Sequence, residues 1–298
     1  MPDKDAKIVD LRRTYHERLC DEIIRIRKRS EKEYPNFADG SSTSSVAIAR
    51  SISNQLKCSK SHESITGQTK GKRFEEATSD FLAKCFDVLQ HLRPGNWEHS
   101  TTETAISEFD QYAHLAHVEQ VVQDDETLSS ALGRDYIVAP DIVIARFPVE
   151  DVEINNSRNG DSRNVVDEQS RAARLTPLRA ANHDDDDPRL LLHASISCKW
   201  TIRSDRSQNT RTEALNLVRN RKGHLPHIAA VTIEPMPTRL AALAMGTGDL
   251  DCIYHAALPE LRKAIEGIDN EDQLDMLNMM EKGRRLRDIS DLPFDLAA

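Results

Sequence analysis

LLLHASISCKWTIRSDRSQNTRTEALNLVRNRKGHLPHIAAVTIEP, residues 190–235, sets a strand, a helix and a second strand in immediate succession. Residues 190–200 are a short apolar run ending in Ser197, Cys198, Lys199 and Trp200, with the length and composition of a buried strand. Residues 208–222 have helical chemistry and stop at Gly223, and residues 227–235 return to β-branched and apolar side chains. That alternation predicts an α/β fold, a central mixed β-sheet flanked by α-helices. Side chains alternate across a strand, so Ser197 and Lys199 share one face while Cys198 turns away and offers that face only its carbonyl.

Upstream, residues 136–145, YIVAPDIVIA, read as another strand, with Pro140 as an edge or bulge signal and Asp141 interrupting an apolar run. An opening helix is expected over residues 5–30, where Ile8, Leu11, Tyr15, Leu19 and Ile23 recur at helical spacing; its end, residues 25–29, is basic. Residues 36–45, NFADGSSTSS, carry turn chemistry and suit a linker or a recognition loop. A helix from about 71 to 91 presents Phe74, Thr78, Phe81, Cys85 and Leu89 as its apolar stripe, and Pro94-Gly95 ends it. Further helical patterns cover residues 259–266 and 271–282, the second opened by Glu271 and Asp272. The chain shows no internal repeat and is expected to form a single domain over residues 1–298, with residues 155–187 as an acidic surface-loop insertion containing the run Asp184, Asp185, Asp186 and Asp187.

With 298 residues, 38% of them hydrophobic, the chain can fill a substantial core. No apolar run approaches the roughly 18 residues that span a bilayer, and the charged start lacks an apolar signal stretch, so a soluble, cytoplasmic protein is expected. The cysteines Cys20, Cys58, Cys85, Cys198 and Cys252 are scattered without a C-x-x-C pair, which argues against a disulfide framework or a cysteine zinc site. A net charge of -9 argues superficially against a nucleic-acid partner. Its distribution argues the other way. Lys199, Arg203, Arg206, Arg211, Arg219, Arg221 and Lys222 form a basic island broken only by Asp205 and Glu213.

Asp141, Lys199 and Glu213 together supply what phosphodiester hydrolysis requires: carboxylates to hold a metal, and positive charge for the attacking water and the crowded phosphate. Asp141 could bridge one or two Mg²⁺ ions, which prefer oxygen ligands. In the pattern PD…(D/E)-x-K an acid stands two residues before the lysine, but here Ser197 occupies that place. Glu213 could restore the acid if it points back to the sheet. From pattern alone the plainer readings are commoner: a turn Asp after Pro, a solvated lysine ending a strand, a helix-surface glutamate.

Residues 195–223, SISCKWTIRSDRSQNTRTEALNLVRNRKG, closely resemble the NgoMIV restriction endonuclease family, whose members cut within sites containing CCGG. The resemblance continues in NFADGS (36–41), GQTKGKRFE (67–75), HLRPGNW (91–97), YIVAPDI (136–142), LPHIAAVTIEPMPTR (225–239) and RLRDISDLPFDLA (285–297), while the first thirty residues match poorly. It implies a PD-(D/E)xK restriction-endonuclease-like fold in which the second acid has moved to a helix. Asp141, the carbonyl of Cys198 and Glu213 would ligate Mg²⁺, Lys199 would serve the attacking water, and Glu75 would be an additional catalytic acid. Arg203, Asp205 and Arg206 would read the inner CCGG, a role suited to bidentate arginine–guanine bonds and an aspartate accepting from cytosine. Asp39, Ser41 and Arg239 would read the outer base pair, and Gln68 would approach the minor groove. The implied activity is that of a Type II site-specific deoxyribonuclease acting on double-stranded DNA at GCCGGC, cut after the first G to leave four-base 5′ overhangs, in restriction of foreign DNA. The implied assembly is a homotetramer, a dimer of dimers binding two DNA copies. A sequence-specific DNA-binding protein without cleavage, or a repair or junction nuclease of the same fold, are the alternatives.

Overall fold

A computed structural model describes residues 5–29, 32–102, 104–125, 127, 138–156, 163–169, 172–183, 188–246, 248–268 and 270–298. In chain order they form α1 (Lys7–Glu22), β1 (Ile26–Arg29), β2 (Lys32–Pro35), α2 (Thr43–Gln55), α3 (Gly67–Leu89), β3 (Trp97–Ser100), α4 (Ala116–Asp124), β4 (Ile142–Arg146) and the single turn α5 (Asp151–Ile154). Then follow β5 (Leu191–Lys199), α6 (Ser204–Asn220), β6 (His227–Thr232), α7 (Pro237–Ala244), β7 (Cys252–His255), α8 (Leu258–Glu266), α9 (Glu271–Lys282), β8 (Leu286–Asp288) and α10 (Leu292–Ala297). Six strands make one sheet in the order β3-β4-β5-β6-β7-β8, and β1 and β2 form a separate hairpin. β3 and β4 are antiparallel, whereas β6, β7 and β8 run parallel, so the sheet is mixed and the expected α/β class holds.

Contacts divide the chain into two compact units, Met1–Arg93 with Ile196–Leu215 and His227–Ala298, and Pro94–Ser195 with Asn216–Pro226. In the first unit, α1 and α3 pack through the stripes the sequence marks: Tyr15 lies 5.2 Å from the Phe81 ring and bonds Thr78 at 3.1 Å. β6 and β7 are buried along nearly their whole length, as parallel strands are when helices cover both faces, and they admit the polar Thr232 and His255 only where these are buried too. Arg12 on α1 reaches two other elements, bonding both carboxylate oxygens of Glu260 on α8 and both of Asp288 at the end of β8. In the second unit the Gln111 side chain acts as a short strand partner, donating to the Leu192 carbonyl at 2.8 Å and accepting from its N–H at 3.0 Å. The Tyr112 hydroxyl donates to the Leu217 carbonyl at 2.9 Å.

Several boundaries differ from the sequence expectation for identifiable reasons. α1 ends at Glu22 instead of continuing to residue 30. Arg25 folds back over the helix end, its guanidinium donating to the carbonyls of Ile24 and Asp21, so the basic residue closes the helix and β1 begins after it. The Ser-rich stretch is a turn only as far as Ser42, whose hydroxyl accepts from Ser45 N–H at 3.2 Å and starts α2. α3 opens at Gly67 rather than 71, behind the Thr66 cap. β4 begins at Ile142, leaving Asp141 in a bend before the strand, because Pro140 has no N–H for the ladder. Tyr136 and Ile137, the start of the expected strand, lie outside the described residues.

α6 starts at Ser204, one turn before residue 208, and β6 stops at Thr232, short of 235. Both C-terminal helices occur where their patterns place them. Within 155–187 the described residues carry no strand or α-helix, and Leu175 and Val165 are exposed; Arg179, buried against Asp151, anchors the segment. The run Asp184 to Asp187 lies outside the described residues. One expectation is overturned. Cys20 and Cys58 form a disulfide with Cα atoms 4.9 Å apart, because the end of α1 and the segment after α2 converge although 38 residues separate them in sequence. No described helix is long and apolar enough to cross a membrane.

Burial alone would raise the Asp288 and Glu260 carboxyls, but hydrogen bonds from Arg12 and its charge outweigh burial and hold both below the ordinary range. Depressed carboxyls stabilise the fold above their unfolded pKa, about 4, and that contribution is lost as pH falls below it. Arg12→Ala should therefore cost on the order of 2 kcal/mol at pH 7, allowing for partial exposure of the pair. The gap from the unsubstituted protein in chemical denaturation should narrow at pH 3; an equal gap at both pH values would contradict the ion-pair account.

Candidate active site

β5 delivers Ser197, Cys198 and Lys199 in its last turn of pleat, with Ser197 and Cys198 buried and Lys199 half-buried. α6 follows almost directly and carries Glu213, whose carboxylate accepts a bond from the Ser197 hydroxyl at 3.4 Å. The helix glutamate thus stands against the strand position where the common nuclease pattern has its acid. Trp200 follows Lys199 and is buried edge-on between two rings, Phe74 at 5.2 Å and Phe37 at 6.0 Å. Phe74 directly precedes half-buried Glu75 on α3. Asp141 lies in the second unit, half-buried in its bend.

A cavity of about 920 Å³ lies beside this strand end, lined among others by Arg27, Asp39, Lys70, Thr201, Arg203 and Arg239. Asp39, Arg203 and Arg239, far apart in sequence, thereby meet around one space. Asp39 accepts from the Ser41 hydroxyl at 2.6 Å and the Ser41 N–H at 3.0 Å, and pairs with Arg239 on α7. The Ser41 bond and then the Arg239 bond hold the Asp39 carboxyl well below the usual range. Gly40 makes this loop possible: a Cβ there would fall 2.4 Å from the Tyr34 ring. Gln68 is exposed on the first turn of α3, next to Gly67 of the cavity wall. The side chains of Asp205 and Arg206, on the first turn of α6, lie outside the described residues.

Sequence reasoning missed Glu234. It reads as an ordinary acid after a strand, yet it is fully buried and accepts the N–H groups of Ile202 at 3.0 Å and Met236 at 3.2 Å. Arg27 was read only as part of a basic helix end, and Lys70, in the first turn of α3, was not singled out, since one positive charge there carries no pattern; both line the cavity. Among the described residues, no group of three His, Cys, Asp or Glu side chains gathers to hold a metal. The expected set needs none, being two carboxylates and the Cys198 carbonyl, all hard oxygens that suit Mg²⁺. The Cys198 thiol is buried, consistent with a carbonyl-only role.

Residues 15–298 match the NgoMIV restriction enzyme family, and the chain is 45% identical over 290 residues to the Type II restriction enzyme NgoMIV of Neisseria gonorrhoeae, covering 96% of this chain and 97% of that one. The chain belongs to the NgoMIV restriction enzyme family. It is a Type II restriction endonuclease, as the resemblance implied. Two solved structures show a loose likeness: the PspGI restriction endonuclease with substrate DNA (TM-score 0.32, 14% identity, 98% of this chain and 92% of that one) and the Type IIF endonuclease Bse634I with cognate DNA (TM-score 0.26, 12% identity, 89% and 98%). At those scores neither bears on the site.

The contact between Gly40 and Tyr34 gives a structural test. Gly40→Ala should cost on the order of 1–3 kcal/mol through overpacking. Adding Tyr34→Ala should recover part of that loss, so that the two substitutions are non-additive in a denaturation cycle. Strict additivity would show that the ring does not limit the loop.

Proposed function

We propose that the protein is a single nuclease domain that hydrolyses double-stranded DNA at GCCGGC, cutting after the first G to leave four-base 5′ overhangs in restriction of foreign DNA. The observation that supports this chemistry is the bond from the Ser197 hydroxyl to the Glu213 carboxylate, at the strand position that lacks an acid. Asp141, Glu213 and the Cys198 carbonyl would hold one or two Mg²⁺ ions. When bound, the metal supplies Lewis acidity towards the phosphate and a water acidic enough to attack. Lys199 would orient the attacking water or take its proton and would offset charge on the phosphate in the transition state. Glu75 adds a further carboxylate to the same chemistry.

The meeting of Asp39, Arg203 and Arg239 around one cavity supports the reading of bases. Arg203, Asp205 and Arg206 read the inner CCGG in the major groove, Asp39, Ser41 and Arg239 the outer pair, and Gln68 the minor-groove side. Cavity-lining Arg27 and Lys70 add charge towards the backbone phosphates. Assembly as a homotetramer, a dimer of dimers on two DNA copies, and a cytoplasmic location complete the reading.

Plasmid digestion with Mg²⁺ followed by mapping of the ends tests it: fixed fragments with CCGG overhangs are expected. Binding without cutting would instead indicate a DNA-binding protein, and random or structure-directed nicking a repair nuclease. Lys199→Ala should lower the cleavage rate at least about 100-fold while preserving specific binding in Ca²⁺. Loss of that binding would make Lys199 a DNA contact instead. Arg206→Ala should weaken binding to the cognate site far more than to random DNA, and an equal loss on both would reduce it to a phosphate contact.

A further inference from the structure

Glu234 stands just past the end of β6, fully buried. Its two carboxylate oxygens are divided between separate segments. Oε2 accepts from the N–H of Ile202, the residue before Arg203, at 3.0 Å. Oε1 accepts from the N–H of Met236 at 3.2 Å, at the start of α7, and lies 3.8 Å from the Arg239 guanidinium. That contact is made by Nη1 of Arg239, while Nη2 pairs with Asp39. Its own backbone is pinned as well, with its N–H donating to the Thr232 hydroxyl at 3.1 Å and its carbonyl facing the His255 ring on β7 at 3.2 Å. A buried carboxylate is costly unless such partners compensate it, and a merely structural site could use a neutral acceptor.

We propose that Glu234 is a positioning residue for sequence discrimination, one carboxylate that sets the start of the Arg203 arm and the Arg239 guanidinium in a fixed relation. This rests on the reading of Arg203 and Arg239 as base contacts. The charge on Glu234 matters because it faces Arg239, while the backbone N–H groups would be served by any acceptor. Asp39 alone would let the Arg239 side chain swing about a single partner; two carboxylates on different segments hold it from both sides. Base readout by a bidentate guanidinium depends on that orientation, so a loosened Arg239 loses discrimination before it loses affinity for DNA.

Burial pushes the Glu234 carboxyl up to about 7, against the lowering effects of the Ile202 N–H, Arg239 and the Met236 N–H, with Asp39 adding a further rise. The charged groups facing it are Arg239 on α7 and Asp39 on the loop before α2, and His255 on β7 is pushed down to about 4 by burial, so it stays neutral near pH 7. Glu234 therefore loses its hold on Arg239 as pH falls from 8 to 6.

The test compares cleavage by the full-length protein of two duplexes differing only in the outer pair, GCCGGC and ACCGGT, as a ratio of kcat/KM values. Glu234→Gln keeps the size and one acceptor but removes the charge, and should lower the ratio by about tenfold, the scale of one base contact. Arg239→Ala should lower it as well. If Glu234→Gln slows both duplexes by a common factor while Arg239→Ala collapses the ratio, Glu234 is only structural and the proposal fails. If Arg239→Ala leaves the ratio intact, the base-contact reading itself fails and the proposal falls with it. Should Glu234→Gln not fold, Glu234→Asp decides: it keeps the charge but withdraws it from Arg239, so the ratio should fall severalfold, and an unchanged ratio overturns the proposal.

Discussion

Trp200 is the fixed point from which the first unit is built. Its ring is buried edge-on between Phe37 and Phe74, so the end of β5, the body of α3 and the loop leading into α2 are clamped by one side chain. Each of those rings adjoins a residue of the proposed chemistry: Trp200 follows Lys199, Phe74 precedes Glu75, and Phe37 lies two positions before Asp39. Edge-on aromatic pairs add about 0.5–1.5 kcal/mol each beyond the area they bury. That gain is directional. It fixes the angle at which three segments approach, which the hydrophobic effect alone would leave loose.

Around that apolar clamp the polar groups are arranged to be ready before DNA arrives. Asp39 is held charged by Ser41 and Arg239, and Arg239 is held in turn between Asp39 and Glu234. A guanidinium ordered in the free protein loses less freedom on binding a base than one that must be recruited from solvent. On the proposed assignment the chain's net charge of -9 is no obstacle, because Asp39 and Glu234 would organise Arg239 while the basic island would supply the local attraction for phosphate.

Much of this was legible in the sequence wherever a local pattern had a single physical cause. The strand, helix and strand of residues 190–235 gave the class, and each of the three occurs where the pattern set it, with boundaries shifted by a few residues. α9 was readable because its helical pattern opens on Glu271 and Asp272, which complement its dipole. What escaped was decided by a side chain folding back or by partners at a distance. β1 looked like more of α1 until Arg25 folded onto the helix's own carbonyls. Cys20 and Cys58 had no spacing to betray their meeting. Strand β8 is only Leu286–Asp288, too short to alternate, and exists because β7 pairs with it. Glu234 gave no sign because its partners Ile202 and Arg239 come from other segments.

If Glu213 is the relocated acid, as proposed, these supports become interdependent. Were the acid at position 197, it would ride on the rigid β5 beside Lys199. Glu213 instead rides on α6, whose first turn carries the Asp205 and Arg206 proposed to read bases. The only covalent link between β5 and α6 is the short segment 200–203, held at one end by Trp200 among its rings and near the other by the Ile202 N–H on Glu234. On the proposed assignment, a recognition arm that fails to seat on its bases tilts the same helix that must bring Glu213 to Ser197. A strand-borne acid would be in place whatever sequence lay in the groove. On that assignment a helix-borne one would tie the cleavage geometry to the readout, so that part of the discrimination against wrong sites would be expressed in the chemical step rather than in binding.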